Sequence, residues 1–286
     1  MSVICGAEVV RPADLAAALR ALADRPELRP LAGGTDLMVG VEAGVDVPEA
    51  VLDLWALEEL RGVCVEDGVV VLGALTTYAE IMRRTEVTDH FPALVEASAE
   101  VGAVQIQNRG TLGGNIVNAS PAGDTLPPLL VYGAELELVS VRGRRRVAFD
   151  GFYSGYKQMD RAPDELLAAV RLPVPPSSAV HWWRKVGTRR AQSISKVMGA
   201  GFADVDTDGA LRGVRVALGS VAATPVRLRR TEALIEGRRP DVAMVEEVRA
   251  CVVDEVTPID DVRSTADYRK AVSGNIVARW IRDLAS

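Results

Sequence analysis

Two glycine pairs carry the strongest chemical signal in the sequence. The first is Leu31-Ala32-Gly33-Gly34-Thr35-Asp36-Leu37, and the second is Thr111-Leu112-Gly113-Gly114-Asn115-Ile116. The second runs on into Asn118-Ala119-Ser120-Pro121-Ala122-Gly123-Asp124. Glycine lets a backbone come close to a ligand and aim successive N–H groups at it. The flanking Thr and Asn side chains add hydroxyl and amide hydrogen bonds. Either pair alone reads as an ordinary tight turn. Two such turns meeting in space make a cradle for a pyrophosphate, and the pair points to a nucleotide site.

Other chemical equipment is sparse. The two histidines, His90 and His181, stand in no metal-spaced cluster, and H-E-x-x-H is absent. No local motif supports Ser-His-Asp or Cys-His catalysis. The glycine loops match neither G-x-G-x-x-G nor a P-loop, which disfavours a Rossmann domain. Cys5, Cys64 and Cys251 lie far apart, so a disulfide, zinc or iron–sulfur site within the chain is not expected. Asp124 is placed either to accept hydrogen bonds from ribose or ribityl hydroxyls or to cap a helix from Thr125 onward. Lys185 reads by default as an exposed strand residue. A chain poor in acid–base tools but holding a pyrophosphate cradle fits redox work by a bound cofactor.

The 286 residues suffice for two domains with real cores. A net charge of −6 without a long basic tract argues against nucleic acid. The one basic cluster, Arg142 to Arg146, reads as a solvated hairpin tip. No stretch is apolar for long enough to span a bilayer. The first residues show no signal-peptide pattern, and with reduced cysteines the expected location is cytoplasmic.

The elements that must position the loops follow from pattern. Helices are expected at Pro12–Ala23, Thr77–Arg84, Phe91–Val101 and Leu126–Tyr132, with Thr76 or Thr77 capping the second. Strands are expected at Arg29–Ala32, Val51–Leu54, Val63–Val65, Val69–Leu72, Ala134–Val141 and Leu166–Leu172. Pro173 to Ser178 is the best boundary. Beyond it come two antiparallel strands, Gly199–Val205 and Leu211–Val221, and helices at Thr231–Glu236, Val242–Val253 and Thr265–Leu284. Trp182, Trp183, Tyr153 and Tyr156 read as core or interface, and Arg189 and Arg190 as surface or loop-anchoring charges. The fold class is α+β, without regular βαβ alternation. The expected division is residues 1–176, with subdomains of about 1–55 and 56–176, and a smaller unit, 177–286.

These pieces resemble one family in their order. They are Ala-Gly-Gly-Thr-Asp-Leu (32–37), Thr-Leu-Gly-Gly-Asn-Ile (111–116), Ala-Ser-Pro-Ala-Gly-Asp (119–124), Asp-Glu-Leu-Leu (164–167), Arg-Lys-Val-Gly-Thr-Arg-Arg (184–190), Ile-Ser-Lys-Val (194–197) and Ser-Thr-Ala-Asp-Tyr-Arg (264–269). The chain is similar to the FAD-binding medium subunit of the molybdenum hydroxylases, of xanthine dehydrogenase or aerobic carbon monoxide dehydrogenase type. The resemblance spans nearly the whole chain.

It implies a two-part FAD-binding region of the vanillyl-alcohol-oxidase (PCMH) type and a smaller C-terminal α+β domain. It also implies partner subunits, a large one with molybdopterin and a small one with two [2Fe–2S] clusters, in an (αβγ)2 heterohexamer. Electrons would pass to FAD and on to NAD, a quinone or oxygen. The substrate would be a purine or other N-heterocycle, an aldehyde or carbon monoxide. Ala32, Gly33, Gly34, Thr35, Asp36 and Leu37, with Thr111, Leu112, Gly113, Gly114 and Asn115, would wrap the FAD diphosphate. Asn118 and Asp124 would reach the ribityl or ribose region, Leu167 and Ala168 the flavin rings, and Lys185 the pyrimidine end. Covalent-flavin relatives often carry His where Thr35 stands, so noncovalent FAD is expected. Thr35-Asp36 looks more like the xanthine or heterocycle branch. No cysteine cluster matches the iron–sulfur insertion of the 4-hydroxybenzoyl-CoA reductase branch. The competing readings are a stand-alone FAD-dependent oxidase and a non-catalytic assembly module.

Overall fold

A computed structural model describes residues 7–45, 47–189 and 192–285. Cys5 and Arg190, both singled out above, lie outside the described residues, as do the first six positions.

The chain opens with β1 (Glu8–Val10), α1 (Leu15–Asp24), β2 (Arg29–Leu31), α2 (Leu37–Glu42) and β3 (Ala50–Asp53). The strands form a parallel sheet in the order β1-β3-β2. Regular βαβ alternation was not expected, and these residues do alternate. Strands of three or four residues are too short to show a period. Helix α1 starts later than Pro12 suggests. Asp14 caps it, accepting from the Ala17 N–H at 2.7 Å. Leu15, Ala18 and Leu22 then face the sheet and join Leu52, Leu54 and Leu60 in a small core.

The next section holds β4 (Val63–Glu66), β5 (Val69–Gly73), α3 (Tyr78–Ile81), α4 (Thr85–Thr88), α5 (Pro92–Ala99), α6 (Val104–Gln107), α7 (Leu112–Asn118), α8 (Leu126–Val131), β6 (Glu135–Ser140), β7 (Gly143–Ala148), β8 (Tyr153–Gly155), β9 (Gln158–Met159) and β10 (Leu166–Pro173). A five-stranded antiparallel sheet runs β4-β5-β10-β6-β7. Asp67 and Gly68, both at positive φ, turn the expected first hairpin. Thr77 and Glu80 form a capping box on α3.

Arg142 lies in the hairpin turn, and Arg144 and Arg146 are exposed as expected, but the run extends past the tip into a strand. Gly143–Ala148 is a full edge strand paired with β6. Its arginines meet Glu137, Asp160 and Glu165, and Arg142 in the turn meets Asp164. Paired charges on an edge strand discourage pairing with another chain.

The last section is β11 (Ala179–Val186), β12 (Val197–Val205), β13 (Leu211–Gly219), β14 (Val226–Arg227), α9 (Arg229–Ile235), α10 (Val242–Glu255) and α11 (Ala266–Leu284). Its four-stranded antiparallel sheet is covered by helices, with Val216, Leu218, Val248, Val277 and Ile281 in the core between them. Trp182 stacks on Trp280 within this section, at 5.9 Å between ring centroids. Trp183, on the opposite face of β11, is buried with Phe91, Leu94 and Tyr132 of the preceding section. The architecture is α+β, as the sequence led us to expect.

Candidate functional site

The two glycine loops meet through backbone. A Cβ built on Gly33 would lie 1.6 Å from the carbonyl oxygen of Arg109, just ahead of the second loop. Only glycine permits that approach. Gly110 is pinned in turn: its Cβ would lie 2.7 Å from the Tyr78 ring, and the Tyr78 N–H donates to the Gly110 carbonyl. Burial pushes the Tyr78 hydroxyl well above its ordinary value, with Asp124 and Asp36 adding to the effect. Tyr78 thus sits within electrostatic reach of both loops.

The loops differ in their free donors. The second is not a simple turn, because Gly113 and Gly114 lie in the first turn of α7, capped by Thr111. The N–H groups of Leu112 and Gly113 donate to the carbonyls of Thr76 and Ala74, both at 2.9 Å. That of Gly114 donates to Thr111 Oγ1 at 3.0 Å. Two glycines in seven residues hid this helix from the pattern. In the first loop, by contrast, the N–H groups of Gly33, Gly34, Thr35 and Asp36 donate to no acceptor among the described residues. The loop is only half-buried up to Thr35, and Asp36 is exposed. Gly34 has φ +76°, which a side chain disfavours.

A Cβ on Gly114 would meet only Thr111 Oγ1 within 4 Å. Backbone N–H groups without acceptors, on a glycine loop pressed against the entry to the second one, fit a diphosphate. Leu167 and Ala168 border the same region. The Ala168 carbonyl accepts from the Ala74 N–H at 2.8 Å, and Ala74 accepts from Gly113. A β-bulge falls at this point of β10. Thr125 Oγ1 donates to Asn115 Oδ1 at 2.7 Å, tying the second loop to the start of α8. Asn118 ends α7, followed by Ala119 at φ +50°. Its side chain makes no hydrogen bond among the described residues.

Asp124 and Lys185 come together across 61 residues. Lys185 Nζ donates to Asp124 Oδ2 at 2.7 Å and to the Glu100 carbonyl at 3.2 Å. The lysine side chain is 3% exposed, so Lys185 is not the surface residue its strand position suggests. Ser195 Oγ donates to Asp124 Oδ1 at 2.6 Å. Asp124 does not cap the helix it precedes; Thr125 holds that position. Burial raises the Asp124 carboxyl, against the pull of Lys185 and Ser195. Two residues before Lys185, on the same face of β11, Trp183 buries an indole N–H without a partner.

Ser195 was missed as a participant, and so was Ser220. The Ser220 N–H donates to the Pro121 carbonyl at 2.8 Å, and its hydroxyl to the Ser195 carbonyl at 3.1 Å. Arg269 Nη1 in turn holds the Ser220 carbonyl at 2.8 Å. Ser220 has φ +64°, a strain that no local pattern announces.

Comparisons with known proteins give the family and the overall fold. Residues 5–175 match the family described as the FAD binding domain in molybdopterin dehydrogenase. Residues 182–284 match the CO dehydrogenase flavoprotein C-terminal domain. The xanthine dehydrogenase FAD-binding subunit of Escherichia coli O157:H7 is 33% identical, over 91% of this chain and 89% of that one. The carbon monoxide dehydrogenase medium chain of Afipia carboxidovorans is 30% identical, over 95% and 94%. The solved carbon monoxide dehydrogenase of Hydrogenophaga pseudoflava superposes with a TM-score of 0.91 at 27% identity, covering 96% of this chain and 95% of that one. The chain therefore belongs to the molybdopterin-dehydrogenase FAD-binding family, and it is an FAD-binding oxidoreductase subunit of the molybdenum hydroxylase type.

Proposed function

We propose that this chain is the electron-transfer subunit of a molybdenum hydroxylase, receiving electrons from [2Fe–2S] clusters in a partner subunit and delivering them to an external acceptor. The observation that carries the reading is the run of four unpartnered N–H groups from Gly33 to Asp36, pressed against the entry to the second glycine loop. When bound, FAD supplies one- and two-electron chemistry that no side chain here provides. The chain's own part is to bind and orient it. Ala32 to Leu37 and Thr111 to Asn115 hold the diphosphate, and Asn118 and Asp124 face the ribityl or ribose hydroxyls. Leu167 and Ala168 line the ring system. Lys185, already out of water and held by Asp124, stands near the pyrimidine end. Thr35 offers no nucleophile of the histidine kind, so FAD is held noncovalently.

The molybdopterin and the clusters belong to a large and a small partner subunit in an (αβγ)2 assembly. The relatives named for xanthine, nicotinate and caffeine favour an N-heterocyclic substrate, chosen by the molybdenum subunit. The acceptor is NAD, a quinone or oxygen, and the location is cytoplasmic. No helix among the described residues is long and apolar enough to cross a membrane. The FAD-binding unit is residues 1–176, and 177–286 is the C-terminal unit.

Anaerobic spectroscopy separates this reading from a stand-alone oxidase. The FAD-loaded chain alone should keep its flavin absorbance when xanthine is added. The same chain reassembled with its partners should lose that absorbance when their substrate is added. Bleaching of the isolated chain by a substrate would establish an oxidase instead.

A further inference from the structure

One cluster beside the first glycine loop has no part in the roles assigned so far. Trp55 lies just past β3, next to the start of the glycine loop that follows β2. The Leu54 N–H donates to the Leu31 carbonyl at 2.9 Å, so the two strand ends are bonded neighbours. Two guanidinium groups lie over the Trp55 indole, Arg109 at 3.7 Å from the ring centroid and Arg61 at 4.4 Å. Arg61 is fixed by its own bonds. It donates to the Trp55 carbonyl at 2.6 Å and lies 4.0 Å from Glu58. Arg109 is different, since among the described residues no carboxylate pairs with it. Asp53, the acid closest in sequence to Trp55, is already engaged by Arg11 at 3.6 Å and by the Trp55 N–H at 3.1 Å.

The backbone of Arg109 is the backbone that touches Gly33. Its guanidinium, resting on Trp55, therefore lies at the edge of the parallel sheet where the unpartnered N–H groups begin. That edge also carries Asp36, an exposed negative charge within the donor loop. A diphosphate bound by those N–H groups needs a cation to offset Asp36. Stacking on an indole holds a guanidinium in place while leaving its N–H edge free to bond oxygen. A side chain ordered before binding loses less entropy when it binds.

We propose that Arg109, held by Trp55, is a recognition residue for the diphosphate of the dinucleotide and makes the site prefer FAD over flavins that lack the second phosphate and the adenosine. The proposal rests on the FAD reading above. Arg109 contributes charge-assisted hydrogen bonds to phosphate oxygens, and Trp55 acts as the positioning residue.

The test is titration of the full-length apo chain with FAD and with riboflavin, at low and high salt. Arg109→Ala should weaken FAD binding by about tenfold at low salt, with a smaller loss at high salt. It should leave riboflavin binding unchanged. Arg109→Lys should restore only part of the loss, because an ammonium keeps the charge but neither the fork nor the stack. Trp55→Leu should weaken FAD binding in the same direction, with an unchanged melting temperature for Arg109→Ala as the control on folding. Equal FAD affinity in wild type and Arg109→Ala overturns the proposal, as does a matching loss for riboflavin. A wild-type chain that binds neither flavin overturns the cofactor assignment itself.

Discussion

Lys185 Nζ lies 2.7 Å from Asp124 Oδ2, and this single ion pair bonds β11 to the loop that leaves the second glycine pair. Both side chains are nearly out of water, at 3% and 11% exposure. Breaking such a pair leaves a buried charge without compensation and costs about 3–5 kcal/mol. Lys185→Met should destabilise the chain by that order near pH 8. The sign with pH follows from Asp124, whose carboxyl is raised by burial and pulled back by Lys185 and Ser195. A carboxyl raised on folding costs stability above its unfolded value, and the cost fades as pH falls through its folded value. Without Lys185 the carboxyl rises further, so the gap between wild type and variant should narrow from about pH 8 to about pH 5. Denaturant melts at the two pH values check this, and a gap that does not move with pH would refute the pairing.

The glycines separate folding from binding. A methyl group at Gly33 would strike the Arg109 carbonyl, so Gly33→Ala forces the loops apart. It should lower the melting temperature and abolish FAD binding together. Gly114→Ala is the contrast. It gains helix propensity, about 1 kcal/mol, and disturbs the Thr111 cap by a similar amount. The melting temperature should stay near wild type while FAD affinity falls. Calorimetry on both variants decides; a Gly114→Ala protein with wild-type affinity would show that the cradle lies elsewhere.

His181 gives a second, opposite pH dependence. The Tyr132 hydroxyl accepts from the Ala93 N–H at 3.1 Å and shares a hydrogen bond with His181 Nδ1, also at 3.1 Å. Half-buried among Tyr132 and Phe202, the ring is held below its ordinary value by desolvation. A base lowered on folding loses stability as pH drops through its unfolded value of about 6.5. His181→Gln should flatten stability between about pH 7.5 and pH 5.5 relative to wild type. Parallel slopes for the two proteins would remove His181 from the interface balance.

Arg145 holds buried Glu165 with two hydrogen bonds, at 2.7 and 2.8 Å, and reaches Asp160 as well. That bonding, set against a smaller desolvation effect, keeps the Glu165 carboxyl below its ordinary value. A carboxyl lowered on folding stabilises above its unfolded value and loses the benefit as pH falls through its folded one. Arg145→Ala should cost about 1–3 kcal/mol near neutrality and progressively less in acid. Urea melts across the acid range read this directly.

How much of this was legible in sequence depends on distance along the chain. The glycine loops, the Asp67-Gly68 hairpin and the helix capped by Thr77 were readable because a few adjacent residues specify each one. The parallel pairing of the opening sheet was not, although two of its strands were, because strands of three or four residues leave no period to detect. The helix behind Thr111 was masked by its own glycines, which match a turn as well as a first helical turn. The exposure of Arg142, Arg144 and Arg146 was readable, but their carboxylate partners were not, because these lie up to 22 residues away. Lys185 looked exposed because its partner lies 61 residues earlier and on another element. Motif resemblance supplied Asp124 and Lys185 as site residues, but only the fold pairs them with each other. Ser195 lies in the Ile-Ser-Lys-Val piece without being singled out there, and nothing local marks Ser220 or the Arg109–Trp55 stack.

The most direct test is the visible absorption of the purified chain before and after acid precipitation. Flavin bands on the native chain that pass into the supernatant, as FAD equimolar with protein, are the expected result. A colourless chain that also fails to take up added FAD would contradict the assignment of the two glycine loops. Bands that stay in the pellet would contradict noncovalent binding at Thr35.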